Sequence, residues 1–423
     1  MRLIALLLIC IAPVVVFSQR TVIHCGKLID VEKGTVLNKQ TIVVDGTKIV
    51  SVENGFTKPL STDKLIDLSD KTVMPGLMDS HVHLESETSP NNYSQRFTRN
   101  VADIAFTSTI YARETLKAGF TSVRDLGGNG VNTSLRDAIN SKVIVGPRVY
   151  SAGKSIATTG GHADPTNGVR KDLMGDPGPE AGVINGISDA RKAVRQRYKE
   201  GVDVIKITAS GGVLSVAKSG ENPQFMEDEL EEIIKTANDY GLKVAAHCHG
   251  TEAMLRAVRA GVHSIEHGTY MTPEVMDLMK QKGTYYVPTI TAGKSVADSS
   301  KIPNYYPPLV QPKAATIGPK IQSTFAAAYK AGVKIAFGTD AGVYKHGKNW
   351  LEFVYMVEAG MPAMEAIQSA TIEAAKLIGN WEELGSIKTG KIADIIAVDG
   401  DPIKDIQSMG KVKFVMKAGV QYF

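Results

Sequence analysis

The stretch GLMDSHVHL at residues 76–84 decides how the chain is read. It is short, mostly apolar, and carries two histidines two positions apart, His81 and His83. Such a run, entered through Pro75-Gly76, reads as a strand buried on both faces, the kind found in parallel sheets. In a strand, residues i and i+2 share a face, so both imidazoles can converge on one metal ion. Further runs of this type follow: FTSVRDL (120–126), RVYSAG (148–153), DVIKIT (203–208), LKVAAHC (242–248), VHSIEH (262–267), TYYVPTI (284–290) and VKIAFGTD (333–340). Helical stretches such as VADIAFTSTIYARETLKAG, EDELEEIIKTANDYG and TEAMLRAVRAG lie between them, several closing on a glycine C-cap. Eight strand–helix units in about 300 residues predict an α/β fold, a (β/α)8 TIM barrel over residues 73–384. A doubly wound open sheet would place a glycine-rich phosphate loop after its first strand, where this chain has HVHLE.

The flanks read differently. Residues 20–72 contain TVIHCGKLID and QTIVVDGTKIVSV, the latter around an Asp45-Gly46 hairpin signal; residues 385–423 contain ADIIAVDG and KVKFVMKAGVQYF. The two ends therefore predict one small β-sandwich built from both termini. Residues 1–18 have an early Arg2, an apolar run from Leu3 to Phe17 and a small Ser18, the layout of a signal peptide. An exported protein, periplasmic or secreted, is expected, with no membrane segment after its removal. Cys25 and Cys248 then remain, in different predicted domains, so no disulfide is expected. Of 423 residues, 43% are hydrophobic and 22% charged, which excludes a disordered or fibrous chain. The net charge of +4 is small and no basic run is present, so nucleic acid is not an expected partner.

The chemistry sits at strand ends. Lys206 is flanked by Ile205 and Ile207 in a strand expected to be buried, where an amine's pKa falls by up to ~3–5 units. His247 and His267 end two further strands, and Asp340 ends the eighth, in FGTDAG. In a barrel, these ends open onto one face. A lone H-x-H is ordinary, but four histidines, an aspartate and a buried lysine on one rim point to a metal site. His249 competes with His247, but Gly250 follows it where the strand should stop. Cys248 should face away by alternation, Arg124-Asp125 reads as a structural ion pair, His263 beside a ligand strand reads as packed or hydrogen-bonded, and His24 and His346 have no constellation around them. Residues 291–313, rich in Ser, Pro, Lys and Tyr, read as a long loop and candidate lid. Serine-hydrolase and zincin readings lack their motifs, G-x-S-x-G and H-E-x-x-H.

PGLMDSHVHL, the strand-embedded Lys206, the strand-end His247 and His267, GTDAG, and the ending GSIKTGKIADII together resemble the amidohydrolase superfamily over nearly the whole mature chain. The resemblance implies a barrel with a side β-sandwich and a binuclear centre. Its two divalent metal ions, usually zinc, are bridged by an N6-carboxylated lysine and a nucleophilic hydroxide. His81, His83 and Asp340 would hold one metal, His247 and His267 the other, with Lys206 bridging. Asp340 would also carry the proton to the leaving amine. The chain most resembles the imidazolonepropionase-like and prolidase-like members, which include Xaa-Pro dipeptidases. Hydrolysis of a dipeptide or N-acyl amino acid is therefore expected, with cyclic amide or other non-peptide C–N hydrolysis as the alternative and room for a homo-oligomer. In the prolidase-like members a similar G-G-H loop polarises the scissile carbonyl, and a tyrosine meets the substrate carboxylate. Those roles fall here on His162, in Thr158-Thr159-Gly160-Gly161-His162, and on Tyr270; Ala163-Asp164 departs from the pattern.

Overall fold

Four strands open the folded chain: β1 (Thr21–Asp30), β2 (Thr35–Asp45), β3 (Lys48–Asn54) and β4 (Lys64–Pro75). The structure is a computed structural model that describes residues 19–423. The expected signal peptide lies outside the described residues. The next strands are β5 (Leu77–Val82), β6 (Phe120–Asp125), β7 (Arg148–Ser151), the short β8 (Ala157–Thr158) and β9 (Val183–Ile184), and β10 (Val204–Thr208). They are followed by β11 (Lys243–Cys248), β12 (Ser264–His267), β13 (Tyr285–Val287), β14 (Ile395–Val398), β15 (Val412–Lys417) and β16 (Val420–Gln421). No described helix is long and apolar enough to cross a membrane.

Both ends of the chain share one seven-stranded sheet, in the order β16-β15-β14-β4-β1-β2-β3. The C-terminal β14 lies antiparallel to β4, with Ile395 opposite Pro75. Alternation sends Ile23, Cys25, Ile42, Val44, Val73, Ile395 and Phe414 into one apolar cluster. The register of β1 against β4 shifts between Cys25 and Lys27. Gly26 sits in that irregularity because a Cβ there would lie 2.2 Å from the Ser69 carbonyl oxygen.

The middle of the chain forms two parallel sheets, β5-β6-β7 and β10-β11-β12-β13. Every residue of β5, β6 and β10 is buried, as their unbroken apolar runs require. Backbone hydrogen bonds join the two sheets along two seams. At one, Asp203 N donates to Ser151 O (2.8 Å) and Ile156 N to Lys206 O (2.8 Å). At the other, Tyr286 N donates to Lys334 O (2.8 Å), Ser80 N to Phe337 O (2.8 Å) and His83 N to Ala341 O (2.7 Å). Residues 333–340, expected as a full strand, make the first two of these bonds without regular strand geometry. The Asp79 carboxylate takes the Thr339 amide (3.1 Å) and hydroxyl (2.7 Å), and Asp340 turns into the left-handed region at φ +59°.

Residues 291–313 depart from the expected loop. They run through a helix, Ile290–Ser299, then a Pro-rich link into a second helix, Gln311–Lys330. The first helix buries Ile290, Ala292 and Val296, a helical spacing that the serines and lysines of this stretch obscure in sequence. Gly293 and Gly318 let the two helices touch: a Cβ on Gly318 would sit 2.9 Å from the Gly293 oxygen. Cys25 and Cys248 are both buried and unpaired by any disulfide.

Phe337, fully buried, leads the chain toward Asp340. Its ring lies 4.3 Å from that of Phe353 and 5.6 Å from that of Phe120, centroid to centroid. Phe337→Ala leaves a cavity and should destabilise the protein by about 3–5 kcal/mol. Denaturant unfolding would read this as a lowered midpoint at unchanged slope.

Candidate metal centre

The strand ends bring His81, His83, Lys206, His247, His267 and Asp340 together. Lys206 Nζ stands 3.4 Å from His81 Nε2. Asp340 Oδ1 lies 3.6 Å from His81 Nε2 and 3.3 Å from His83 Nε2. The His267 ring is 5.0 Å from that of His81 and 4.6 Å from that of His247, between centroids. One donor atom each of His81, His267 and Asp340 lies within 4.8 Å of the others. His162 joins from its loop, its ring stacked on His247 at 4.3 Å. Tyr270 is tied in through its backbone, whose N–H donates to His249 O (2.9 Å).

Each ring is oriented by a bond to the protein. His81 Nδ1 donates to Glu266 Oε2 (2.9 Å), His83 Nδ1 to Gly127 O (2.6 Å) and His247 Nε2 to Gly211 O (3.1 Å). His267 Nδ1 meets Thr289 Oγ1 at 2.7 Å. A carbonyl or carboxylate only accepts, so those three rings carry their proton on the engaged nitrogen. His81 Nε2, His83 Nε2 and His247 Nδ1 keep a lone pair. Burial lowers all four histidine pKa values, His83 to about 4 and the others well below the usual range, so the neutral, metal-ligating form prevails. Burial also pulls the Lys206 amine down to about 8 against Glu266 and Asp340, and pushes the Asp340 carboxyl up to about 8 against Lys206. Asp340 Oδ1 is buried without a hydrogen-bond partner. Neutral imidazoles and an unpartnered carboxylate oxygen suit a borderline divalent ion such as zinc.

The backbone is strained at the same place. His267, Thr289 and Asp340 adopt φ of +70°, +54° and +59°. Left-handed geometry costs a non-glycine residue about 1–3 kcal/mol and persists where surrounding bonds enforce it. Glu352 supplies such bonds. Its buried carboxylate accepts from Ile290 N (2.8 Å), Thr291 N (2.8 Å) and Thr291 Oγ1 (2.6 Å), fixing the turn that presents Thr289 to His267.

One residue that orients the site, Glu266, escaped sequence reasoning. Glu266 is fully buried and holds both His81 and Arg124, whose Nη2 donates to its Oε1 at 2.8 Å. Arg124 and Asp125 do not pair with each other, as adjacent strand residues point to opposite faces. Asp125 instead accepts from Leu84 N and Asn132 Nδ2, both at 2.8 Å. The signal for Glu266 was present: a glutamate in the apolar run VHSIEH is as anomalous as Lys206 in its own strand. Asp203 pairs with Arg136 (2.8 Å), away from Lys206. His249 lies within the cluster, its Nδ1 bonded to Thr269 Oγ1 (2.8 Å) and its ring 5.0 Å from that of His267. His24, His263 and His346 make bonds elsewhere, and Cys248 faces the main apolar core.

The model of the amidohydrolase family matches residues 72–421. Ochratoxinase of Aspergillus niger is 33% identical over 417 residues, covering 94% of this chain and 85% of that protein. The crystal structure of a Xaa-Pro dipeptidase with methionine bound in its active site superposes with a TM-score of 0.94 at 55% identity, over 96% of this chain and 100% of that one. A prolidase crystallised with N-methylphosphonate-L-proline superposes at 0.86 with 32% identity, over 96% and 99%.

The Glu266–His81 bond makes a checkable demand. Glu266→Gln keeps the shape but replaces an anionic acceptor, so zinc affinity of the stripped protein should weaken about 10–100-fold. A competitive chelator titration reads this directly.

Proposed function

The chain belongs to the amidohydrolase family, and within it we propose a metal-dependent dipeptidase that cleaves Xaa-Pro or related dipeptides. The observation that carries this reading is the cluster of neutral, pre-oriented imidazoles around Lys206 and Asp340, in a chain 55% identical to a Xaa-Pro dipeptidase. We further read residues 73–384 as a closed (β/α)8 barrel, on the strength of the hydrogen bonds at both seams. Residues 20–72 and 385–423 form the composite β-sandwich in this reading, supported by their shared sheet and its register shifts. Residues 1–18 are read as a signal peptide, making the enzyme periplasmic or secreted.

His81, His83 and Asp340 would hold one divalent ion, His247 and His267 a second, and an N6-carboxylated Lys206 would bridge them. Burial lowers the pKa of the Lys206 amine and so favours the neutral form that takes up carbon dioxide, which supports the carbamate. When bound, such ions acidify water and polarise a carbonyl. The remaining steps belong to side chains. Asp340 accepts a proton from the attacking water and delivers it to the leaving nitrogen. Burial raises its affinity for that proton. His162, stacked on His247, donates to the substrate carbonyl oxygen, and the Tyr270 hydroxyl meets the terminal carboxylate.

A panel of dipeptides, N-acyl amino acids and cyclic amides, offered to the zinc-loaded mature protein, tests the reading. Dipeptides with a free carboxylate should be the substrates cleaved. Opening of cyclic amides with no dipeptide cleaved would replace this reading by the non-peptide alternative. Tyr270→Phe should lower kcat/KM for free dipeptides by about 10-fold, the worth of one hydrogen bond to a charged group, and leave their amidated counterparts little changed. Equal losses on both would remove the carboxylate role from Tyr270.

A further inference from the structure

Lys313 makes a fully satisfied charged contact outside the metal cluster. It stands on the helix Gln311–Lys330, half-buried, and its ammonium donates to three carbonyls of one loop. The acceptors are Gly212 O (2.9 Å), Ser215 O (3.0 Å) and Ala217 O (2.8 Å). An ammonium has three donors, so all are committed and none remains for a ligand. The Tyr93 hydroxyl donates to Leu214 O at 2.8 Å, and Val213 and Leu214 pack on Val296, Tyr306, Val310, Ala314 and Ile317. Loop carbonyls ordinarily face water; these are held by side chains distant in sequence.

The same loop touches two site histidines. Gly211 O accepts the His247 Nε2 proton. Gly212 lies against the His162 ring so closely that a Cβ there would fall 2.1 Å from Nδ1. The His162 amide donates to Gln224 Oε1 (2.8 Å) near the loop's far end. A shift of about 1 Å in residues 211–212 would break the Gly211–His247 bond and open space behind His162, and misplacements of that size cost up to about 10²-fold in rate.

We propose that Lys313 is a positioning residue. By pinning residues 212–217 it makes Gly211 hold His247 with its proton on Nε2 and makes Gly212 back the His162 ring. The rate consequence rests on the dipeptidase reading of His162; the pin itself does not. The requirement for a lysine follows from geometry, since the acceptors surround a single point, which an ammonium fits and a planar guanidinium does not.

The test uses the full mature chain loaded with zinc and compares Lys313→Met with the parent. Amides of residues 211–221 should lose hydrogen-exchange protection while those of β10 and β11 keep theirs. Dipeptide turnover should fall about 10-fold or more, and the same substitution in a His162→Asn background should cost measurably less, because one of the two rings it positions is gone. Lys313→Gln, which keeps an amide donor, should fall between parent and Lys313→Met in exchange. Unchanged exchange in the loop would overturn the pin, and fully additive losses with His162→Asn would overturn the positioning of His162. Parent protein without dipeptidase activity would defeat the functional reading alone, and the exchange comparison would still decide whether Lys313 pins the loop.

Discussion

Six ionisable side chains, five of them buried, gathered at one set of strand ends form the constraint from which the rest follows. A buried isolated charge is costly enough that the group gives up its charge instead. Here the imidazoles stay neutral, the Lys206 amine is driven toward neutrality, and Asp340 is driven toward its acid form. Neutral imidazoles and a neutral amine are the forms from which ligands for divalent ions and a carbamate are made, and a raised proton affinity suits Asp340, once ionised, to carry a proton. The charge that does remain is matched, as Glu266 against Arg124. Breaking such a pair would leave one ion uncompensated.

The scaffold fixes direction as well as protonation. Each of the four imidazole rings is tied by one nitrogen to a group on another strand or loop: Glu266 on β12, Gly127 after β6, Gly211 after β10 and Thr289 after β13. These anchors come from four parts of the barrel-like core, so the site reports on the packing of the whole. The left-handed turns at His267, Thr289 and Asp340 show where that packing overrides backbone preference. The Gly293–Gly318 contact brings the helix pair 290–330 close, and the pair reaches the site through Thr289 on one side and Lys313 on the other.

What the sequence reveals is what depends on local order. The alternation in GLMDSHVHL puts His81 and His83 on one side, and the isoleucines around Lys206 foretell its burial. The β pattern at both termini foretells a shared sheet. What it hides depends on distant partners. Arg124 and Asp125 adjoin in sequence but serve different neighbours, and only the approach of β12 to β5 turns Glu266 into the partner of His81. The eighth strand loses regularity because Asp79, roughly 260 residues earlier, captures Thr339. Residues 291–313 read as loop by composition, whereas their helix is stabilised by burial against a second helix that composition does not announce.

Metal content at fixed protein concentration, measured by elemental analysis on the parent and on Lys206→Ala, tests the central claim most directly. If Lys206 joins two ions held by these histidines and Asp340, the parent carries close to two divalent ions per chain. The variant then loses metal and activity together, and bicarbonate with zinc restores the parent after stripping. A Lys206→Ala protein that retained two ions and full turnover would contradict the account.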